Sequence, residues 1–159
     1  MADPIEQAKP LTDAEVDEIM RRISRCDQKV ITDIFEEFCN TLNSIIILVL
    51  KQLKDEREIV QLEQLRRVLN ITPAFEKFIR AKDKVWAVRN HIVNKNAKYF
   101  LEKDYSSLIK KDSRQTFIES LMEIVRDNFE PLSDSEKDLY WRKASRLLNC
   151  VARFKQLTD

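Results

Sequence analysis

The sequence predicts an all-α fold: a single-domain bundle of about six helices around a central apolar helix, residues 27–54. Three observations predict it. The 159 residues include no glycine. Apolar residues recur at steps of three and four, the spacing of one helical face, and no segment alternates at period two. Helix-start signatures recur along the chain, with short connections between the helices they open.

The missing glycine is informative, since average usage would supply roughly eleven in a chain this long. It excludes the glycine-rich loops whose backbone cradles phosphates and dinucleotides. It also argues against tight hairpins and many-stranded folds. Helix ends that need a left-handed residue are expected to use asparagine instead; Asn70, Asn94, Asn96 and Asn128 lie near predicted helix ends. Charged residues make up 35% of the chain, which suggests amphipathic helices with solvated outer faces.

Residues 1–10 contain two prolines and no apolar period, and read as an extended N-terminal arm before a single helical domain, residues 11–159. Thr12 and Glu15 form a capping box that opens the first helix, with Leu11 and Val16 at the staple positions. Ile19, Met20 and Ile23 continue its apolar face to about Arg25. The central helix follows. Val30, Ile31, Ile34, Phe35, Phe38, Leu42, Ile45, Ile46, Val49 and Leu53 make its face, and Ile47, Leu48 and Leu50 extend the apolar surface round the other sides. A segment apolar on every side is either buried or meets a partner, so Ile47, Leu48 and Leu50 are candidate partner-binding residues. The helical period runs into and out of this β-branched stretch, which argues against a strand. Lys51 and Lys54 end it well short of the ~20 apolar residues a membrane span needs.

Ile59, Leu62, Leu65, Val68 and Leu69 mark a third helix, which must end before Pro73. Thr72 reads as the N-cap of a fourth, with Pro73 at its first position. Phe75, Phe78, Ile79, Val85, Trp86, Ile92 and Val93 form its face, to about Asn94. The stretch 94–111 is irregular, with short helical pieces such as 97–103. Asp112 can cap a fifth helix, with Gln115 at N3 and a face of Phe117, Ile118, Leu121, Met122, Val125 and Phe129. Ser133 and Glu136 form the capping box of a sixth, whose face is Tyr140, Trp141, Ala144, Leu147, Leu148, Val151 and Ala152.

Catalytic chemistry is not indicated. His91 is the single histidine, so nucleophile–histidine arrangements would depend on it alone, and no nucleophile is flagged nearby. Cys26, Cys39 and Cys150 are odd in number and widely spaced, which suggests a reducing, intracellular compartment rather than a secreted, disulfide-bonded protein. With no paired-cysteine or paired-histidine motif to start a site, no metal or other cofactor is expected.

Charge is segregated along the chain. Residues 1–76 carry net −5, 77–111 net +7, 112–139 net −5 and 140–155 net +5, within a total of +1. Lys77, Arg80, Lys84, His91 and Lys95 fall within roughly 60° of one another on the fourth helix. Arg142, Arg146 and Arg153 form a similar stripe on the sixth. Such stripes can neutralise phosphates, which gives nucleic acid as an alternative partner. They can equally be an outer face paired with the acidic segments. Aromatics do not interleave with them, so base stacking is not indicated. Lys82 and Arg89, seven residues apart, fall inside the apolar arc. There they either snorkel, pair with carboxylates, or receive an acidic or phosphate-bearing partner.

Tyr99-Phe100-Leu101-Glu102-Lys103-Asp104-Tyr105-Ser106 is followed, about thirty residues later, by Leu132-Ser133-Asp134-Ser135-Glu136-Lys137, Tyr140-Trp141 and Leu147-Leu148. This arrangement resembles small helical, mostly uncharacterised proteins of nucleocytoplasmic large DNA viruses, over residues 75–155. The resemblance carries no functional residue with it. It implies a viral product in the host cytoplasm or the virion, plausible as a minor capsid protein whose partners are other proteins, such as capsid proteins or itself. Viral Bcl-2-like proteins also wrap helices round an apolar one, but their BH1 signature requires glycine. Together these readings make a non-enzymatic structural or interaction protein the expected function.

Overall fold

A computed structural model describes residues 4, 11–103, 105 and 117–159, with the backbone alone at 117. The described residues form eight helices and no strand: α1 (Asp13–Ser24), α2 (Gln28–Gln52), α3 (Glu56–Ile71), α4 (Ala74–Ala87), α5 (Arg89–Val93), α6 (Ala97–Glu102), α7 (Phe117–Phe129) and α8 (Asp134–Thr158). The fold is all-α. The expected N-terminal arm (apart from residue 4), the Asp112 cap and two motif residues, Asp104 and Ser106, lie outside the described residues.

Helix α2 is the centre. Asp27 caps it by accepting from the Lys29 and Val30 amides, and ten of its residues are buried, from Ile31 to Val49. Phe35 and Phe38 meet Phe78 of α4, each at 5.1 Å between ring centroids, and Phe154 of α8 closes on Phe78 at 4.9 Å. Edge and tilted contacts of this kind stabilise by about 1 kcal/mol beyond area burial. Near the end of α2, Gln52 reaches Glu136 and Tyr140; near its start, Glu37 reaches Arg153. The residue numbers run oppositely, so α2 and α8 pack antiparallel along their length.

Both capping boxes form as the sequence predicts, Thr12 with Glu15 and Ser133 with Glu136. The α3–α4 junction differs. Pro73, not Thr72, is the N-cap of α4, and the Thr72 hydroxyl donates back to the Val68 carbonyl at 2.7 Å, completing the end of α3. The expected fourth helix breaks at Val88, whose backbone (φ −102°, ψ 16°) leaves helical geometry, and continues as α5. That break and the separate turn of α6 account for the two helices beyond the expected six.

Asparagine does not supply the left-handed residue. Among the described residues only Lys95 has positive φ, 51°. Its amide donates to the Ile92 carbonyl at 3.1 Å and the Asn96 amide to that of His91 at 2.8 Å, which is a Schellman ending of α5 with Lys95 at C′. Asn96 is needed one residue later, where its side chain accepts from the Tyr99 amide and caps α6.

Candidate functional site

Five helices, α4 to α8, close over α2 and leave a recess of about 130 Å³. Leu42 and Ile45 of α2 form its floor. Val85, Val88 and Ile92 come from the α4–α5 corner, Phe100 and Leu101 from α6, Leu121, Met122 and Val125 from α7, and Trp141, Ala144 and Leu147 from α8. The break at Val88 matters here: it turns α5 so that Val88 and Ile92 enter the same wall.

Polar groups in the wall are few and mostly engaged. The Tyr140 hydroxyl donates to Gln52 Oε1 at 2.9 Å, and Gln52 Nε2 donates to Glu136 Oε2 at 2.9 Å, tying the start of α8 to the end of α2. Burial, reinforced by the Glu136 charge, pushes the Tyr140 phenol well above its usual range, so it stays neutral. The Tyr105 hydroxyl donates to the Phe100 carbonyl at 3.2 Å. Arg126 donates to the Lys103 carbonyl at 2.7 Å and lies over the Tyr105 ring. Lys84 of α4 forms an ion pair with Oε1 of Glu119 on α7. Glu119 is 2% exposed, and its Oε2 has no hydrogen-bond partner.

The structure redistributes the residues singled out from the sequence. Within the apolar run of α2, Ile45, Ile46 and Val49 are buried, while Leu48 and Leu50 pack partly against the core, leaving Ile47 as the exposed member. The run is therefore covered on most sides.

Most stripe cations have partners within the fold, although Lys95, Arg142 and Arg153 stay exposed at the surface. Lys77, expected on a solvated face, is 8% exposed, and its ammonium donates to the Leu69 carbonyl at 2.5 Å in the last turn of α3. A cation there satisfies a terminal carbonyl and complements the helix dipole. Arg80 pairs with Glu76, Lys95 with Asp138 at 3.2 Å, Arg142 with Asp138 at 3.0 Å and Arg153 with Glu37 at 2.8 Å. Arg146 lines an open depression with Asp33, Glu36 and Glu37. His91 stacks on Tyr99 with centroids 3.9 Å apart, and its Nδ1 contacts the Asn96 amide. The stripes thus face acidic or aromatic neighbours within the fold.

Lys82 pairs with its neighbour Asp83 at 2.9 Å. The break at Val88 removes Arg89 from the same side of the helix. Arg89 is exposed, donates to the Trp86 carbonyl at 2.9 Å and stands over the Trp86 ring. The buried arc of α4 is rotated from the one the large residues indicate. Ala81 and Val88 are buried, whereas Phe75 and Trp86 are half-buried and Val93 is exposed. This rotation carries Lys77 and Lys84 inward.

Glu119 and Arg126 were not indicated by the sequence, and Tyr105 entered only as a member of the resemblance motif. Glu119 lies about 120° from the centre of the α7 apolar face at 100° per residue, where a solvated carboxylate is the ordinary expectation.

All three cysteines are free. Among the described residues no cluster of three His, Cys, Asp or Glu side chains could hold a metal ion, and no helix is long and apolar enough to cross a membrane. Comparison of the chain with protein-family models, curated proteins and solved structures returns no match.

Proposed function

We propose that this is a non-enzymatic binding and interaction protein whose site is the recess over α2, and that it acts in the setting of a large DNA virus. The recess carries the first part of this reading. Its walls are apolar, while the ionisable groups in them are held by one another or by the backbone, an arrangement suited to receiving an apolar occupant. Toluene is the probe. Saturable shifts of the Met122 and Ile45 methyl resonances, with nuclear Overhauser contacts from toluene to them, are expected. Ala144→Leu, which fills the recess, should weaken them. No contact up to the solubility limit of toluene would overturn the reading.

The viral setting rests on the resemblance. Phe100, Leu101, Tyr105, Tyr140, Trp141 and Leu147 belong to its two separate motifs, and all six stand in the wall of the recess. The motifs therefore build one structural unit. As a minor virion component the protein would be found in purified particles by mass spectrometry; abundance in infected cytoplasm and absence from particles would instead make it a host-directed interaction protein. The pairing of stripe cations with carboxylates of the fold weighs against the nucleic-acid reading. No retention of duplex DNA is expected even at low salt, where phosphate contacts are strongest.

A further inference from the structure

We infer that Arg89 and Lys155, gathered on the Trp86 ring, form a surface clamp for a soluble phosphate monoester, bound as its dianion. The clamp stands apart from the recess, since none of the three residues lines it.

Trp86 brings the two cations together. The Arg89 guanidinium carbon lies 4.7 Å from the ring centroid, and the Lys155 ammonium, from α8, lies 4.9 Å from the same centroid. An indole face attracts cations through its quadrupole, but it has no net charge to cancel theirs. Arg89 is exposed and Lys155 half-buried, so the pair stands at the surface.

The carboxylates that could neutralise them are directed elsewhere. Asp83, one turn before Trp86, pairs with Lys82 at 2.9 Å. Asp159, one turn after Lys155, is directed to Arg22 at 3.8 Å. Among the described residues no carboxylate pairs with Arg89 or Lys155. Arg80, Lys95, Arg142 and Arg153, by contrast, each have an acidic partner. Two positive charges therefore share one aromatic ring with no counter-charge between them.

Arg89 is also oriented. Its Nη1 donates to the Trp86 carbonyl at 2.9 Å, and the ring supports the guanidinium. Its Nε and Nη2 have no acceptor among the described residues. That edge of the fork matches two oxygens of a phosphate or a carboxylate. Holding the guanidinium in advance lowers the ordering cost of binding. Lys155 adds a compact charge on a flexible stem, suited to a further oxygen.

Charge then selects among anions. Two cations without an anion favour a dianion, and a phosphate monoester carries nearly two charges at neutral pH. A carboxylate or a phosphodiester carries one. Nucleic acid is held by many phosphate contacts, and anionic membranes by clusters of about four to eight basic residues. A patch of two cations suits a single soluble phosphate group instead.

The probe is inorganic phosphate at pH 7.5, titrated into the full-length protein at constant ionic strength, with acetate as the monoanion for comparison. The Arg89 Nε–H and Trp86 indole N–H resonances report the site. Saturable shifts of both are expected, with phosphate binding about fivefold or more tighter than acetate, because one more unit charge acts across a few ångström near water. Arg89→Gln should abolish the Trp86 response. Arg89→Lys, which keeps the charge and loses the fork, should weaken phosphate severalfold. Lys155→Gln should bring the phosphate-to-acetate ratio toward one. Absence of a saturable shift, acetate binding as tightly as phosphate, or a Trp86 response unchanged in Arg89→Gln overturns the inference. Equal shifts at the exposed Arg142 also overturn it, since they would show attraction to surface cations in general. Sedimentation with phosphatidylcholine vesicles containing phosphatidic acid, without any response to inorganic phosphate, would place the anion on a lipid and overturn the assignment to a soluble one. Titration of the unaltered protein decides the question if a variant does not fold. The toluene titration of the recess is independent of every one of these results.

Discussion

Replacing Lys84 by methionine removes one member of an ion pair whose other member cannot reach water. Glu119 is 2% exposed, whereas the Lys84 side chain retains 22%. In Lys84→Met the carboxylate keeps its burial and loses its counter-charge, with Oε2 already unpartnered. Breaking a buried pair from one side destabilises by about 3–5 kcal/mol. That is a large part of the ~5–15 kcal/mol that holds a domain folded, and should lower Tm by roughly 10 °C for a chain of this size. Glu119→Met should cost less, about 1–2 kcal/mol, because the lysine stem can carry its charge toward solvent. Lys84→Met/Glu119→Met should recover most of the loss, since apolar replacement of a whole buried pair is often neutral or stabilising. Urea unfolding followed by circular dichroism at 222 nm measures all four proteins, and equal m-values would show that the unfolding reaction is the same. A Lys84→Met variant within about 0.5 kcal/mol of the parent would refute the reasoning. So would a double variant less stable than either single one.

The Schellman ending of α5 forces Lys95 into the left-handed region, and its pair with Asp138 is largely exposed. Lys95→Gly should therefore stabilise by about 0.5–1 kcal/mol, since glycine escapes the steric penalty at a modest entropic cost; a loss of stability in urea would contradict this. At the start of α8, the Ser133 backbone amide and then its hydroxyl hold the Glu136 carboxyl below the usual carboxylate range. A lowered folded-state pKa contributes stability that is present above the unfolded value, ~4.3, and is lost as pH falls through the folded one. Glu136→Gln keeps an acceptor without titrating, so unfolding between pH ~5 and ~3 should depend less on pH than in the parent; an unchanged acid limb would count against the capping role. Burial pushes the Cys39 thiol up, and burial followed by the Glu37 charge pushes Cys150 up to about 12. Cys26 alone is partly exposed. Iodoacetamide at pH 8 should alkylate Cys26 in the native protein and the other two only on unfolding, and peptide mass mapping that finds Cys150 modified natively would refute this.

The fold was legible because its signals are local and agree with one another. Thr12 and Ser133 cap the helices they announce, and the period of α2 identified eight of its ten buried helical positions by type and spacing, missing Cys39 and Thr41. The site was less legible for two physical reasons. A helical arc was assigned from the largest apolar side chains, and in α4 the small Ala81 and the junction residue Val88 take the buried side while Phe75 and Trp86 stay half-covered. An error of a few tens of degrees moves a lysine from solvent to interior, as happened with Lys77 and Lys84. Glu119 is buried by tertiary packing, and nothing in its local sequence distinguishes it from the solvated carboxylates around it.

The charge blocks acquire their meaning from which of them meet. Basic 77–111 packs against acidic 112–139 through Lys84–Glu119 and Lys95–Asp138. Basic 140–155 packs against the acidic first half through Arg153–Glu37, with Arg142 reaching Asp138 from the same helix. Most of these pairs are exposed, and such pairs add little stability individually. Their arrangement acts on alternatives instead. An order of helices that separated α7 from α4 would leave Glu119 buried without its cation, and one that turned the basic stripes of α4 and α8 toward each other would oppose like charges. Like charges so placed cost more than exposed opposite charges gain. The alternation of blocks therefore favours the observed order of helices around α2, where apolar faces of similar size could otherwise exchange. The recess is a product of that order: the Lys84–Glu119 pair fixes α7 against α4, and α6 and α8 close the sides left open.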